Sequence, residues 1–218
     1  MTHHRALLVD WGGVLTVPLD GAMAAWAESD GVDVEHYLDV LRAWRELEEG
    51  EAGAGPAAAP VHALERGEMQ PEEFERLLAD ELHLRGSAVS ATGLLQRMLA
   101  GLEEPEPAML DLVRRARAAG VPTALLSNSW GNTYDRTGWD EMFDAVVISG
   151  EVGMRKPEAR IFTHTADLLG VPPQECVMVD DLPWNVEGAQ AVGMAAVLHR
   201  GDVAATTAEV RRLLGRVV

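Results

Sequence analysis

ALLVDWGGVLT, residues 6–16, is the stretch of sequence that decides the fold of this chain. An apolar run of four residues ends in Asp10, and a Gly-Gly turn follows at once. This pattern predicts a buried parallel strand that carries one carboxylate to the rim of a sheet. The glycines leave room for a ligand to approach the backbone closely, so we expect a functional site beside Asp10.

Strands and helices alternate from about residue 107 onward. Proline at the first position of the helix Pro157–Leu169, with Gly170 just beyond its end, gives that helix the expected terminal signals. Alternating units of this length, together with the strand at 6–10, predict an α/β, Rossmann-like fold with a parallel sheet and helices on both faces. The other predicted strands are Pro122–Ser127, Ala145–Ser149, Val177–Asp180 and Ala195–His199, and the other predicted helices are Ala108–Ala119, Asn185–Ala191 and Thr206–Leu214.

Residues 17–100 follow a different pattern. Apolar side chains recur at helical spacing in Val34–Leu47 and in Pro71–Leu84, and no convincing strand stands between them. Gly50–Pro60 is rich in Gly, Ala and Pro, which predicts a loop. A helical insertion after the first strand lies above the carboxyl ends of the strands, where ligands bind. We therefore predict a core domain (1–16 and 101–218) with an inserted helical cap domain (17–100).

Composition narrows the class of protein and its partners. The formal net charge of −17 over 218 residues disfavours nucleic acid and membrane surfaces as partners. No apolar run approaches the ~20 residues that span a bilayer, and the first strand begins too early to leave room for a signal peptide. The single cysteine, Cys176, stands in an apolar strand, which predicts a buried, inert thiol in a reducing compartment. We expect a cytoplasmic protein; its oligomeric state stays open.

Polar residues follow several of the predicted strands. Each alone has an ordinary explanation, such as a turn residue, a helix cap or a solvated surface lysine. Together, and in this order along the chain, they predict one shared site at the carboxyl edge of the sheet. They are Asp10, Ser127-Asn128, Lys156 and Asp180-Asp181.

These segments resemble the four motifs of the haloacid dehalogenase (HAD) superfamily. The resemblance covers residues 5–16 and about 107–200. The stretches VGMRKPEARIF (152–162) and DDLPWNVEGA (180–189) resemble subfamily IA, variant 3, which includes α-glucose-1-phosphate phosphatases and the phosphatase domain of soluble epoxide hydrolase. The resemblance implies a Mg²⁺-dependent phosphatase that acts on a small phosphorylated molecule through an aspartyl-phosphate.

The resemblance also implies a role for each matching residue. Asp10 is the nucleophile, and a carboxylate is suited to forming an acyl phosphate. Mg²⁺ prefers hard oxygen ligands, and the protein part of its shell would come from Asp10, the backbone carbonyl of Gly12 and Asp181, with Asp180 binding directly or through water. The phosphate oxygens would be held by Ser127, the amide of Asn128 and Lys156.

Gly12 departs from the pattern, because phosphatases of this superfamily usually have a second Asp there. That Asp protonates the leaving group and then activates water, and such help is worth ~10²–10⁴ in rate. Three outcomes stay open: a substrate whose leaving group needs little protonation, such as an acyl or anomeric sugar phosphate; a substitute such as His36 or water; or a feeble enzyme. Some members of the variant 3 group also lack this Asp, so its absence does not exclude activity.

Other functions are weighed against phosphatase activity. Response-regulator receivers carry their acidic pair before the phosphorylated Asp, whereas here the single Asp10 leads and the pair comes last. The 2-haloacid dehalogenases need no metal and lack the acidic pair, so Asp180-Asp181 favours phosphate chemistry. A non-catalytic protein that binds a phosphorylated metabolite is the remaining alternative, and the missing acid at Gly12 motivates it.

Tryptophans stand beside three of the motifs. Trp11, Trp130 and Trp184 would either pack loops and contact the cap, or form an apolar wall that favours a sugar or aromatic leaving group. Trp26 and Trp44 have apolar neighbours at helical spacing, which predicts core positions.

Overall fold

The predicted sheet is present, with five parallel strands. The computed structural model describes residues 4–50, 60–100, 104–131 and 134–215. Within them the strands are β1 (Ala6–Val9), β2 (Thr123–Ser127), β3 (Ala145–Ile148), β4 (Cys176–Asp180) and β5 (Ala195–Leu198). They lie in the order β3-β2-β1-β4-β5, so the chain turns back across β1 after β3. In such a sheet the crevice beyond the carboxyl end of the central strand is where ligands bind.

Helices cover both faces of the sheet, which confirms the predicted α/β fold. In the described residues they are α1 (Leu19–Asp30), α2 (Val34–Gly50), α3 (Pro60–Glu65), α4 (Pro71–Leu84), α5 (Leu94–Leu99), α6 (Pro107–Ala118), α7 (Trp139–Met142), α8 (Ser149–Val152), α9 (Ala159–Leu169), α10 (Pro183–Ala191) and α11 (Val203–Leu214). The first five fall between β1 and β2 in the chain. Sequence patterning did not reveal α1, α3, α5, α7 or α8, most of which are too short to show a helical period.

Successive residues of β1 explain why the strands are apolar throughout. Leu7 and Val9 pack into a cluster with α6 and α11, whereas Ala6 and Leu8 pack into a second cluster with α9 and α10. All four side chains are fully buried. A strand covered on both faces has no polar side, so its sequence is a continuous hydrophobic run.

The helices α1 to α5 have an apolar cluster of their own. Its fully buried members include Phe74, Leu78 and Leu82 of α4, and Trp26 and Trp44 also lie in it, as predicted. No strand occurs in the described residues between 17 and 100. Most of the predicted loop Gly50–Pro60, residues 51–59, lies outside the described residues.

The start predicted for the helix after Lys156 was wrong. The helix predicted to begin at Pro157 begins instead at Ala159, because Glu158 has an extended backbone with ψ of 129°. Pro157 directly follows Lys156, whose backbone is hydrogen-bonded to a loop beyond β2. Residue 157 therefore belongs to the loop that places Lys156, not to the helix.

Three other helices begin earlier than predicted, and for α6 the difference is a single residue. The helix α10 begins at Pro183, where a proline is tolerated because the first helical N–H groups have no intrahelical partner. The helix α11 begins at Val203, because the side chain of Asp202 accepts a hydrogen bond from the N–H of Ala205 at 2.9 Å. An acceptor of this kind at the N-cap position stabilises a helix start.

Cys176 lies at the start of β4 and is fully buried. Burial raises the pKa of its thiol to about 12, so the sulfur stays protonated and unreactive at neutral pH, as the sequence predicts. Among the described helices, none is long and apolar enough to cross a membrane.

A buried ion pair joins the helices α1 to α5, here called the helical segment, to the part of the chain that forms the sheet and its covering helices. Glu65 at the end of α3 is paired with Arg155, and the two side chains are 9% and 11% exposed. The Glu65 carboxylate also accepts a hydrogen bond from Nε1 of Trp130 at 3.2 Å. Beside it, Arg66 is paired with Glu158 at 2.6 Å. The end of α3 is thus paired with one residue before Lys156 and with one residue after it.

We expect Glu65→Gln to destabilise the protein by roughly 3 kcal/mol, because removing one partner of a buried pair leaves the other charge uncompensated. The matched control is Glu209→Gln, whose partner is Arg212 and whose side chain is 42% exposed. Exposed pairs of that kind contribute ~0–1 kcal/mol. Urea unfolding of both variants checks the prediction, and equal losses in the two would contradict it.

Candidate active site

The carboxyl ends of three neighbouring strands bring the predicted site together. Asp10 directly follows β1, Ser127 is the last residue of β2, and Asp180 is the last residue of β4. Both β2 and β4 pair with β1 in parallel, so their ends lie at one edge of the sheet. The three side chains are largely buried.

Lys156 is the centre of this arrangement. Its side chain is fully buried, with Nζ 2.8 Å from Oδ2 of Asp10 and 2.6 Å from Oδ2 of Asp180. Burial would lower the pKa of Lys156, but the Asp10 and Asp180 carboxylates outweigh it and raise that pKa. The lysine is therefore a fixed positive charge beside the carboxylate after β1.

Asn128 holds the backbone of Lys156. Its side-chain Oδ1 accepts a hydrogen bond from the Lys156 N–H at 2.8 Å, and its Nδ2 donates to the Lys156 carbonyl at 3.0 Å. Sequence reasoning assigned Asn128 to phosphate binding through its backbone amide. The side chain has a separate task, which is to position the loop that carries Lys156.

Both oxygens of Asp180 are engaged by protein groups. Oδ2 accepts from Lys156, and Oδ1 accepts from the N–H of Leu182 at 3.0 Å and from Nδ2 of Asn185 at 2.9 Å. Asp180 therefore orients the lysine. Sequence reasoning missed Asn185, although its place five residues after Asp180, in the first turn of α10, is a signal for such a contact.

A cluster of carboxylates suits a divalent cation. Asp10, Asp180 and Asp181 each offer an oxygen, and these three oxygens lie within 4.8 Å of one another. Burial raises the pKa of Asp10 against the opposing effect of Lys156, and the Asp180 and Asp181 carboxylates raise it further. Lys156 pairs with Asp10 and Asp180, and Mg²⁺ both prefers such oxygen ligands and would neutralise negative charge where the three carboxylates meet. The donor set therefore fits Mg²⁺.

The second glycine of the turn makes room for this cluster. Gly13 has φ of +71°, and a Cβ added to it would collide with the carboxylate of Asp181. Its N–H donates to Oγ1 of Thr16 at 3.1 Å, which fixes the turn. The N–H of Trp11 donates to Oδ1 of Asp10 at 2.7 Å. Gly13 thus lets β1 and β4 place their carboxylates together.

His36, the candidate substitute for the acid missing at Gly12, is engaged elsewhere. Its Nδ1 lies 2.8 Å from Oγ of Ser87, and its Nε2 lies 4.0 Å from Asp33. Both partners belong to the helical segment, which gives His36 a local structural role.

A tyrosine that sequence reasoning missed contacts the predicted phosphate-binding serine. The hydroxyl of Tyr134 lies 2.9 Å from Oγ of Ser127. The Tyr134 ring packs edge-on against Trp11, with ring centroids 6.3 Å apart. The sequence offered no signal for this contact, because Tyr134 stands in a polar loop outside any motif.

The three motif tryptophans have different environments. Trp11 packs against Trp139 with centroids 5.1 Å apart. Trp130 packs against Phe74 of α4 at 5.6 Å, so it contacts the helical segment. Trp184 is 51% exposed in the first turn of α10 and is the one of the three whose ring is mostly open to solvent.

Comparison with known proteins identifies relatives for most of the chain. A family model described as haloacid dehalogenase-like hydrolase matches residues 4–193. The sesquiterpene phosphatase AstK of Aspergillus oryzae is 33% identical over 157 residues, which cover 70% of this chain and 78% of that protein. Two other curated relatives are longer, and the chain matches 19% and 21% of their lengths.

Solved structures share the fold at lower identity. The HAD family enzyme BT-2542 of Bacteroides thetaiotaomicron, solved in complex with magnesium and inorganic phosphate, is 23% identical with a TM-score of 0.58 and matches over 91% of this chain and 96% of its own. A dehalogenase solved with an intermediate complex is 20% identical with a TM-score of 0.66, over the whole of both chains. At these identities the likeness concerns the fold alone.

We expect Gly13→Ala to weaken Mg²⁺ binding by at least about tenfold, because the new methyl group displaces the Asp181 carboxylate and a tenfold change needs only ~1.4 kcal/mol. The matched control is Gly120→Ala, since Gly120 has φ of +75° and nothing within 4 Å of an added Cβ. Both variants lose ~1–2 kcal/mol of stability to the left-handed backbone. Calorimetric Mg²⁺ titration separates the two, and equal Mg²⁺ affinity in both would contradict the prediction.

Proposed function

Because the chain belongs to the haloacid dehalogenase-like hydrolase family, we propose that it is a magnesium-dependent phosphatase of a small organic phosphate. The observation that carries this proposal is the pairing of Asp10 with buried Lys156 beside a cluster of three carboxylates. A lone carboxylate with a cation site is what phosphoryl transfer to aspartate requires. AstK, a relative over most of its length, carries the name of a phosphatase.

Asp10 is the proposed nucleophile. One of its carboxylate oxygens attacks phosphorus, the bond from phosphorus to the leaving-group oxygen breaks, and that oxygen keeps the electron pair and then takes a proton. Water next attacks the phosphorus of the acyl phosphate, which releases inorganic phosphate and restores the Asp10 carboxylate. Lys156, 2.8 Å from Asp10, favours the ionised nucleophile and holds phosphate oxygens together with Ser127 and the amide of Asn128.

The residues proposed to hold Mg²⁺ are Asp10, the backbone carbonyl of Gly12 and Asp181, with Asp180 binding directly or through water. When bound, the cation supplies positive charge against the phosphate oxygens. The hydrogen bonds that occupy both oxygens of Asp180 support the indirect mode for that residue.

Gly12 points to the substrate class. Since glycine cannot protonate a leaving group, the proposed substrates are those whose leaving group is stable without a proton, namely acyl phosphates and anomeric sugar phosphates. Trp184, which is 51% exposed in the first turn of α10, is the residue of the proposed apolar wall that is free to contact a sugar. Trp11 and Trp130 would support that wall through packing.

The helical segment is proposed to act as a cap. We assign residues 17–100 to a cap domain and residues 1–16 and 101–218 to the core domain. The separate apolar cluster of α1 to α5 and the ion pair from Glu65 to Arg155 support this assignment. The buried, protonated Cys176 and the acidic charge fit a cytoplasmic enzyme that acts on a small molecule rather than on nucleic acid.

Gly12 also favours a second candidate function, which is a protein that binds a phosphorylated metabolite without turning it over. Dehalogenation of 2-haloacids is disfavoured by the carboxylates of Asp180 and Asp181, since that reaction needs no metal.

We expect Mg²⁺-dependent phosphate release from a panel of sugar, acyl and aryl phosphates, abolished by Asp10→Asn. Acyl and anomeric sugar phosphates are expected to react faster than simple alkyl phosphates by roughly 10²-fold or more, the scale of acid catalysis that Gly12 cannot provide. The matched control is Asp111→Asn, a half-exposed aspartate on α6 that pairs with Arg115 and is expected to keep full activity.

Two results would overturn this function. Tight binding of phosphorylated compounds without release across the panel would establish the binding protein. Halide release from 2-haloacids without Mg²⁺ would establish dehalogenation.

Asp180→Asn and Asp181→Asn are expected to differ. Loss of the Asp180 charge should destabilise the fold by roughly 3 kcal/mol, because it breaks a fully buried ion pair with Lys156. Loss of the Asp181 charge should leave stability within about 1 kcal/mol but weaken Mg²⁺ binding tenfold or more. Denaturant unfolding and Mg²⁺ titration measure the two effects, and the reverse assignment would contradict these roles.

A further inference from the structure

Tyr134 lies at the edge of the site with its hydroxyl directed at Ser127. The two oxygens are 2.9 Å apart, and the Asn128 carbonyl is 3.4 Å from the phenol oxygen. The Tyr134 ring packs against Trp11 and Trp139, with centroids 6.3 and 5.7 Å away. Aromatic packing on two sides fixes the position of the hydroxyl.

Either hydroxyl could donate in this contact, and the lengths of the phenol's contacts favour Tyr134 as the donor. A phenol has one proton to donate, and hydrogen bonds between hydroxyl groups and oxygen are usually about 2.5–3.0 Å long. The distance of 2.9 Å to Ser127 falls in this range, whereas 3.4 Å to Asn128 does not. The Ser129 side chain also hydrogen-bonds the phenol, and its hydroxyl can donate to the phenol oxygen. With Tyr134 as donor, the serine oxygen accepts and its own proton is left for another acceptor.

The charge state of Tyr134 is compatible with this direction. Burial raises the pKa of the phenol to about 12, against the lowering effect of its bond with Ser127, and the Asp10 charge raises it further. The hydroxyl therefore keeps its proton at neutral pH and is able to donate it. The reverse direction would use the serine proton within the protein, where a bound anion could not accept it.

We propose that Tyr134 is a positioning residue that holds the Ser127 hydroxyl with its proton available to a bound phosphate. The inference rests on the proposed function, in which Ser127 binds the phosphate group. It assigns Tyr134 to phosphate binding and not to the place of the acid missing at Gly12, because the phenol proton is given to Ser127.

The experiment measures the affinity for inorganic phosphate in the presence of Mg²⁺, in a double-mutant cycle of Tyr134→Phe and Ser127→Ala. Tyr134→Phe keeps the ring and removes one neutral hydrogen bond, so we expect affinity to fall about threefold to tenfold. The double variant is expected to bind no more weakly than Ser127→Ala, because Tyr134 acts through the serine. The control is Tyr37→Phe, a buried tyrosine packed on Trp26 in the helical segment, with unchanged affinity expected.

Rate measurements on the same variants complete the test. With a positioning role, Tyr134→Phe lowers kcat/KM by the same factor for p-nitrophenyl phosphate and for an alkyl phosphate. A loss that grows with the basicity of the leaving group would overturn the inference and make Tyr134 the acid. Unchanged phosphate affinity in a folded Tyr134→Phe variant, or additive losses in the cycle, would also overturn it. If the proposed function itself is wrong, the unmodified protein releases no phosphate from any substrate. In that case the double-mutant cycle of phosphate affinity still tests the role of Tyr134.

Discussion

The ion pairs of Lys156 with Asp10 and Asp180 are the constraint on which the rest of the structure depends. An ammonium group with no exposure to solvent costs several kcal/mol unless it is paired and hydrogen-bonded. The two aspartates supply this compensation from the ends of adjacent strands. The loop before α9 must therefore place the lysine between the ends of β1 and β4. Asn128 holds this loop in place by hydrogen bonds to the N–H and the carbonyl of Lys156.

The same short segment also connects the site to the helices above it. Arg155 precedes the lysine and is paired with Glu65 of α3, while Glu158 follows it and is paired with Arg66. Trp130, three residues after the last residue of β2, donates to the same Glu65. The helical segment thus contacts the loop of Lys156 and the loop after β2, which are both proposed to bind phosphate. The position of α3 and the position of Lys156 therefore depend on each other.

Much of this could be predicted from the sequence, because strands buried on both faces are continuous apolar runs and the carboxyl ends of parallel strands share an edge. That rule alone brings Asp10, Ser127 and Asp180 together. The different roles of Asp180 and Asp181 could not be predicted, because they depend on which carboxylate oxygens face Lys156 and Asn185. Tyr134 and the pairing of Glu65 with Arg155 were also beyond prediction, because contacts between distant loops leave no periodic pattern. The start of α9 was predicted wrongly at Pro157 for a related reason. A proline just before a helix looks like the first helical residue unless the hydrogen bonds of the preceding loop are known.

The central claim is that Asp10, paired with Lys156, carries the phosphoryl group during turnover. The most direct measurement is acid quenching of the protein with Mg²⁺ and its fastest phosphate substrate, followed by tryptic digestion and mass analysis. The peptide of residues 6–42, which follows Arg5 and ends at Arg42, contains Asp10. We predict that this peptide gains one phosphoryl group on Asp10 and that hydroxylamine removes it. Phosphate release with the label on another residue, or with no labelled residue at all, would contradict the account.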